Sequence, residues 1–222
     1  MKTPIVLGIH AYIHDSGVCL ISPDCFVAIS EERLSHIKYD ASLPRKSIEY
    51  VLHTAKLKDI NQVDLIVFDL FGQQGNVTYT GLRYIGYNGE VVPIRHHDAH
   101  AASAYFVSPF QDMAIMVIDG AGSYGSEVPP GEPLHYLDNA AGQMREVQSI
   151  YRVTDCEPQL IRRTYTTSKY PMGIGSLYGV ASEFLGFNKL DGSKLMALAA
   201  YGKNDAYPFP RQLFKNFSLI FP

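Results

Sequence analysis

The sequence predicts an α/β protein built on mixed sheets, and three observations carry that prediction. Short apolar runs at residues 5–9, 18–21 and 26–29 are joined by brief turns, which reads as an antiparallel meander. A helix-period segment at 44–57 is then followed by an apolar strand at 63–70, so helices alternate with strands. A new apolar run at 113–118 restarts the opening theme, with strand-like segments at 134–137 and 145–153 behind it. This second pass echoes residues 5–30 in pattern rather than in residue identity, which suggests two related lobes.

Each element has a local reason. Ser22-Pro23-Asp24 supplies the turn between the second and third strands. Ile48, Val51, Leu52 and Ala55 fall on one face of the 44–57 helix. Residues 71–87 are Gly-rich and polar and read as an exposed excursion. Residues 90–94 read as a strand that leads into His96-His97-Asp98-Ala99-His100, and 99–107 as a helix ended by Ser108-Pro109. Residues 165–171 read as a loop. The segment 174–187 reads as a helix with Leu177, Val180, Ala181, Phe184 and Leu185 on its apolar side. A short helix at 194–201 closes on Gly202, and periodicity is lost from Asp205 onward. The predicted organisation is a first lobe at 1–110, part of a second at 111–204 and an irregular tail at 205–222.

Composition narrows the function classes. A hydrophobic content of 46% with 18% charged residues is that of a globular domain. No run approaches the roughly 18 apolar residues of a membrane span. A net charge of -3 gives no electrostatic basis for binding nucleic acid or an anionic membrane. Cys19, Cys25 and Cys156 cannot all pair and form no CxxC, which fits a reduced, cytoplasmic setting.

The chemistry concentrates at residues 96–122. His96 and His100 are four apart, so on a helix both imidazoles can face one way and suit zinc or iron. The same spacing also fits two ordinary surface or satisfied histidines. Asp119 ends an apolar strand and precedes Gly120 and Gly122, where a lone carboxylate calls for a partner and backbone can approach a phosphate closely. His97 points elsewhere on the helix and reads as a supporting residue. Asp15-Ser16-Gly17 can turn backbone N–H groups and a hydroxyl toward a phosphate, or simply close a hairpin. His14 can act as acid or base. Glu31-Glu32-Arg33 reads as a solvated face, with Lys38 beyond it able to offer a point charge to an anion. Lys194 and Lys203 could do the same.

A lobe of this pattern, with a glycine turn after its first strand, resembles the ribonuclease H-like fold of the actin-like ATPases. The ordered set of motifs resembles a narrower family, the nodulation-factor and antibiotic-tailoring O-carbamoyltransferases, in their N-terminal region. The matching stretches are Gly8-Ile9 with His14-Asp15-Ser16, Glu31-Glu32-Arg33 with Lys38 and Pro44, and His96 through Tyr105 with Ser108-Pro109-Phe110. Asp119-Gly120-Ala121-Gly122, Gly175-Ser176-Leu177-Tyr178, Phe184-Leu185-Gly186-Phe187 and Lys194 through Ala199 with Tyr201-Gly202 complete the series. Ser123 stands where the family usually has Glu.

The resemblance implies an ATP-dependent transferase. It would convert carbamoyl phosphate and ATP to carbamoyl adenylate and pass the carbamoyl group to a hydroxyl of a sugar or natural product. It implies His96, His100 and Asp119 as ligands of a divalent metal, with iron favoured and zinc or manganese possible. It implies Asp15, Ser16, Gly120 and Gly122 at the ATP phosphates, His14 as proton acceptor and Lys38 near the transferred group. Family members are longer, so a fourth, acidic metal ligand and the carbamoyl-phosphate domain are expected past Pro222 or on a separate chain. The alternative is a truncated, non-catalytic metal- or nucleotide-binding fragment.

Overall fold

The computed structural model describes residues 3–12, 14–69, 72–125, 134–136, 144–155, 157–167 and 173–203, with backbone alone at 72–75, 134–136 and 167. The chain divides into two compact units, Met1–Gly175 and Ser176–Pro222. The expected tail at 205–222, Cys156 and the larger part of the loop expected at 165–171 lie outside the described residues.

The first unit holds two sheets. One has the order β3-β2-β1-β4-β5, formed by β1 (Val6–His10), β2 (Gly17–Ser22), β3 (Cys25–Ser30), β4 (Leu65–Phe68) and β5 (Glu90–Pro93). β1, β2 and β3 pair antiparallel, whereas β1–β4 and β4–β5 pair parallel. This is the expected mixed sheet of an α/β protein. Leu7, Ile9, Val18, Leu20, Ile66 and Phe68 form its buried face. α2 (Arg45–Thr54) packs there through Ile48 and Val51.

Glu31 corrects the reading of its charge run as a solvated face. It is buried, and its carboxylate accepts the Lys46 N–H at 3.2 Å and the Ser47 N–H at 2.8 Å. It thereby caps the start of α2 across the chain, in place of the side-chain cap that Pro44 cannot give. Only the outer part of the run, α1 (Glu32–Ser35), meets solvent on the expected terms.

Residues 72–87 do not form the exposed excursion expected of them. α3 spans Gly72–Tyr84 and buries Thr78 and Leu82, which lie four apart on one face. Glycine and threonine weaken a helix intrinsically, and packing overrides that preference here. A Cβ on Gly81 would lie 3.1 Å from the Tyr12 hydroxyl and 3.2 Å from Leu43 Cδ2, so glycine lets the helix sit close.

The second sheet has the order β6-β8-β9-β7, from β6 (Met113–Ile118), β7 (Leu134–Tyr136), β8 (Met144–Thr154) and β9 (Glu157–Thr167). The repeat of the opening meander is present, but its members differ from those expected. β8 pairs directly with β6, and β9 takes the third place, while Leu134–Tyr136 is a parallel edge strand beyond it. Residues 165–167 are therefore strand rather than loop. α4 (His96–Phe106) lies on this sheet and buries His97 and Ala101 against β6 and β8.

In the second unit, α5 (Ile174–Phe184) and α6 (Gly192–Ala199) agree closely with the expected helices. Lys194 is held by Asp191 at 2.8 Å. No helix among the described residues is long and apolar enough to cross a membrane.

Candidate functional site

Four chain segments deliver polar side chains to one place. His10 is the last residue of β1, Asp69 follows β4, His96 opens α4 after β5, and Asp119 follows β6. The carboxyl ends of parallel strands are where open α/β sheets present ligand sites. α4 fixes the rest: its 3.6-residue period stacks His100 one turn above His96, while His97 turns inward.

His96 Nε2 lies 3.0 Å from Asp119 Oδ2 and 3.1 Å from His100 Nε2. Its other nitrogen, Nδ1, lies 2.9 Å from Asp69 Oδ2. The Asp69 carboxylate can only accept, so Nδ1 carries a proton, and the ring presents a lone pair at Nε2 once the proton that faces Asp119 is released. Lone pairs of His96, His100 and Asp119 then converge, which is the donor set that a divalent cation takes. The three expected metal residues are thus brought together.

Burial disfavours charge on His96, yet Asp119 and Asp69 outweigh it and raise its pKa to about 9. Burial also works against both carboxylates, but hydrogen bonds from His96, and from His10 at Asp69, hold them well below the usual range. Burial, then the charge of His96, push His100 down, so it stays neutral and ready to ligate.

Beneath the triad lies a buried ionic network. His97 is fully buried, and its Nδ1 meets Ser149 Oγ at 2.8 Å and Glu146 Oε1 at 3.2 Å. Burial lowers its pKa to about 3, so it remains neutral. Glu146 pairs with Arg163 at 2.8 Å, and Arg163 Nη2 reaches Asp98 at 3.0 Å. Asp98 also accepts the Tyr151 hydroxyl at 2.6 Å. These contacts pin α4 to β8 and β9.

The glycines divide by role. A Cβ on Gly122 would overlap Glu146 and lie 2.8 Å from His97 Cδ2, and its N–H already bonds Glu146 O at 2.7 Å. Gly122 is therefore held by packing under the triad rather than turned to an open phosphate space. At Gly120 a Cβ meets nothing within 4 Å, so open space lies beside it. Gly175 approaches this turn closely: its Cβ would fall 2.5 Å from the Asp119 carbonyl carbon. Gly122→Ala is expected to cost about 1–3 kcal/mol through overpacking, measured by chemical denaturation, with Gly120→Ala close to neutral as the control.

The turn after β1 carries the other expected residues. His14 Nδ1 is 3.2 Å from Asp15 Oδ2, and both side chains are half-exposed. Ser16 is fully buried; its N–H and its hydroxyl both donate to Asp40 O, at 2.7 and 2.8 Å. Its donors thus fasten the turn and face the protein interior, so the hydroxyl does not point toward a phosphate as expected. Lys38 is exposed and pairs with Glu32 at 3.1 Å, with its ammonium 4.3 Å from the Tyr39 ring centre. It is not drawn into the histidine cluster. Ser123 accepts the His96 N–H at 3.2 Å and so caps α4.

Sequence reasoning did not find His10 and Asp69. His10 Nδ1 is 2.9 Å from Asp69, and its Nε2 is 3.0 Å from His14 O. The signal that singled out Asp119, a polar residue ending an apolar strand, is present at both positions.

Comparison with known proteins finds similarity over parts of the chain. Residues 5–90 match the family model Carbamoyltransferase N-terminus. "Nodulation protein NolNO" from Sinorhizobium fredii is 28% identical over 233 residues, covering 94% of this chain and 30% of that protein. "Uncharacterized protein sll1178" from Synechocystis sp. is 27% identical over 239 residues, covering 89% of this chain and 35% of that protein. The chain thus spans about a third of the length of the curated relatives it matches. Among solved structures, YeaZ from Pseudomonas aeruginosa aligns at 12% identity with a TM-score of 0.42, over 71% of this chain and 64% of that one.

Proposed function

We propose that this chain is the N-terminal region of an ATP-dependent O-carbamoyltransferase, with carbamoyl phosphate as donor, carbamoyl adenylate as intermediate and a sugar or natural-product hydroxyl as acceptor. The observation that carries this reading is the convergence of His96, His100 and Asp119, at the strand ends of a chain that matches carbamoyltransferases. In it these three residues hold a divalent metal, with iron first and zinc or manganese as substitutes. Such an ion supplies Lewis acidity toward a carbonyl or phosphate oxygen.

The chain's own residues do the rest. Asp69 holds the Nδ1 proton of His96, so that Nε2 faces the ion. Asp15 accepts from His14 Nδ1, which leaves His14 Nε2 as the basic nitrogen for an acceptor hydroxyl. The open space at Gly120 gives phosphate oxygens room near Asp119. Lys38, paired first with Glu32 and attracted only weakly by Asp15, offers an exposed cation on this side of the turn. Residues beyond this chain, or on a second chain, complete the adenylate-forming machinery.

Metal and ATP are to be titrated into wild type and His100→Ala, alongside a carbamoyl-transfer assay that includes the remaining portion of the protein. Transfer that requires metal, and is lost in His100→Ala and His14→Gln, supports the proposal. Metal and ATP binding without transfer would instead assign a binding module. Proton linkage gives a further prediction. His96 must lose a proton to ligate, and its pKa near 9 lies above neutral pH. Metal affinity is therefore expected to rise about tenfold per pH unit up to roughly pH 9 and then level off. About one proton should be released per ion at pH 7.5, read by calorimetry in buffers of different ionisation enthalpy.

A further inference from the structure

We propose that Asp69 and His10 are positioning residues that couple the metal ligand His96 to the His14–Ser16 turn, an inference that rests on the metal reading above. The geometry is one unbroken chain of charge-assisted contacts. Asp119 Oδ2 meets His96 Nε2 at 3.0 Å, His96 Nδ1 meets Asp69 at 2.9 Å, Asp69 meets His10 Nδ1 at 2.9 Å, and His10 Nε2 meets His14 O at 3.0 Å. Asp69 is the single carboxylate between the two imidazoles, and its side chain is only 12% exposed.

The donors and acceptors along this chain are determined. Asp69 and the His14 carbonyl only accept, so both ring nitrogens of His10 donate. His10 is then an imidazolium whose charge balances Asp69 when His96 is neutral at an ion. The histidine rings follow each other in space, with centroid separations of 5.8 Å for His10–His14 and 6.2 Å for His10–His96. A carboxylate on the remote nitrogen of a ligating histidine fixes its tautomer and ring orientation. Here the same carboxylate also grips a second histidine, and that histidine grips the turn.

Among the described residues the other ties lie at the ends of the turn, where the Glu31 N–H also bonds Ser16 O at 2.8 Å. Tyr12 and Asp15 sit at φ 69° and 48°, in the left-handed region that non-glycine residues avoid. Tyr12 N–H bonds Ala41 O at 2.8 Å, and Ser16 bonds Asp40 O. Those contacts hold the two ends of the turn, and His10 supplies the contact at His14 between them. Ion occupancy at His96 is thereby transmitted to the carbonyl that orients His14 and Asp15. A merely structural His10–Asp69 pair would tie β1 to β4 without responding to metal.

The test uses the whole chain with zinc as probe. Zinc affinity is read by chelator competition, and hydrogen exchange of the His14–Gly17 amides is followed with and without zinc. In wild type, zinc should slow exchange at these amides. Asp69→Asn, nearly isosteric, should weaken zinc binding about 10–100-fold and abolish the zinc-dependent protection even at saturation. His10→Gln should weaken zinc less than Asp69→Asn does, yet also abolish the protection. That split would not arise from a general loss of structure, and a melting curve controls for folding. Unchanged exchange on zinc binding in wild type, or wild-type zinc affinity in Asp69→Asn, overturns the coupling alone. Absence of any zinc binding that His100→Ala removes overturns the metal reading itself, and the coupling with it.

Discussion

Arg163→Met is expected to destabilise the protein by about 3–5 kcal/mol. Arg163 is 1% exposed and its partner Glu146 is 0% exposed, so the substitution leaves a buried carboxylate without its cation. Burial already pushes the Glu146 pKa up against the pull of Arg163, and removing Arg163 removes that opposition. A carboxyl whose folded pKa lies above its unfolded value keeps its proton in the native state while the unfolded chain loses it. The unfolded chain titrates alike in both proteins, so the penalty should be small near pH 4 and grow as pH rises past the raised folded pKa of wild-type Glu146. Urea denaturation of wild type, Arg163→Met, Glu146→Gln and the double variant gives the coupling energy. The double variant should recover part of the loss, because Gln still offers an oxygen to the His97 N–H. A loss below about 1 kcal/mol for Arg163→Met at pH 7 would mean that the Arg163 contacts to Glu146 and Asp98 do not fasten α4 to its sheet.

The same network explains why part of the fold was hidden in the sequence. The first meander was legible because its strands are short apolar runs bounded by turn residues. β9 was not, because Arg162 and Arg163 sit mid-strand and suggest an exposed segment. Arg163 is buried nonetheless, compensated by Glu146 from β8 and Asp98 from α4, which are 17 and 65 residues away in sequence. α3 was hidden for the opposite reason. Gly72, Gly75 and Gly81 reduce helix propensity, and only the close approach to Tyr12 and Leu43 shows why at least Gly81 belongs there. Glu31 looked solvated because the helix it caps begins fourteen residues later.

At the site, spacing within one helix was legible and proximity between strands was not. His96 and His100 share a face by helical period alone, and Asp119 announced itself as a carboxylate closing an apolar run. His10 and Asp69 close apolar runs in the same way. Their meaning depends on β1 and β4 lying side by side, a fact of register that no local pattern contains. Ser16 and Gly122 show the reverse case. Their residue types suit a phosphate turn, yet burial assigns their donors to Asp40 and Glu146.

His100→Ala is expected to weaken divalent-metal binding by at least about a hundredfold while leaving the metal-free fold intact, since even outer-shell substitutions cost 10–100-fold. His100 is the ligand to remove because it is the least entangled of the three. His96 also grips Asp69, and Asp119 also receives the Gly120 N–H at 2.6 Å. The exposed His100 meets the cluster through Nε2, 3.1 Å from His96 Nε2. Alanine is a better helix former by about 0.5 kcal/mol, so the metal-free variant should melt at or slightly above the wild-type temperature. Saturating metal separates the two proteins. A ligand at a hundred times its Kd stabilises the native state by about 2.7 kcal/mol, and at the same concentration a hundredfold weaker site gains only about 0.4 kcal/mol. Metal should therefore raise the wild-type melting temperature by several degrees and that of His100→Ala by roughly one or less. Chelator should return both proteins to their metal-free values, a fall of several degrees for wild type and of one or less for the variant. An equal rise in both proteins would place the ion elsewhere, because a site built on His96, His100 and Asp119 cannot lose one of three ligands without losing affinity.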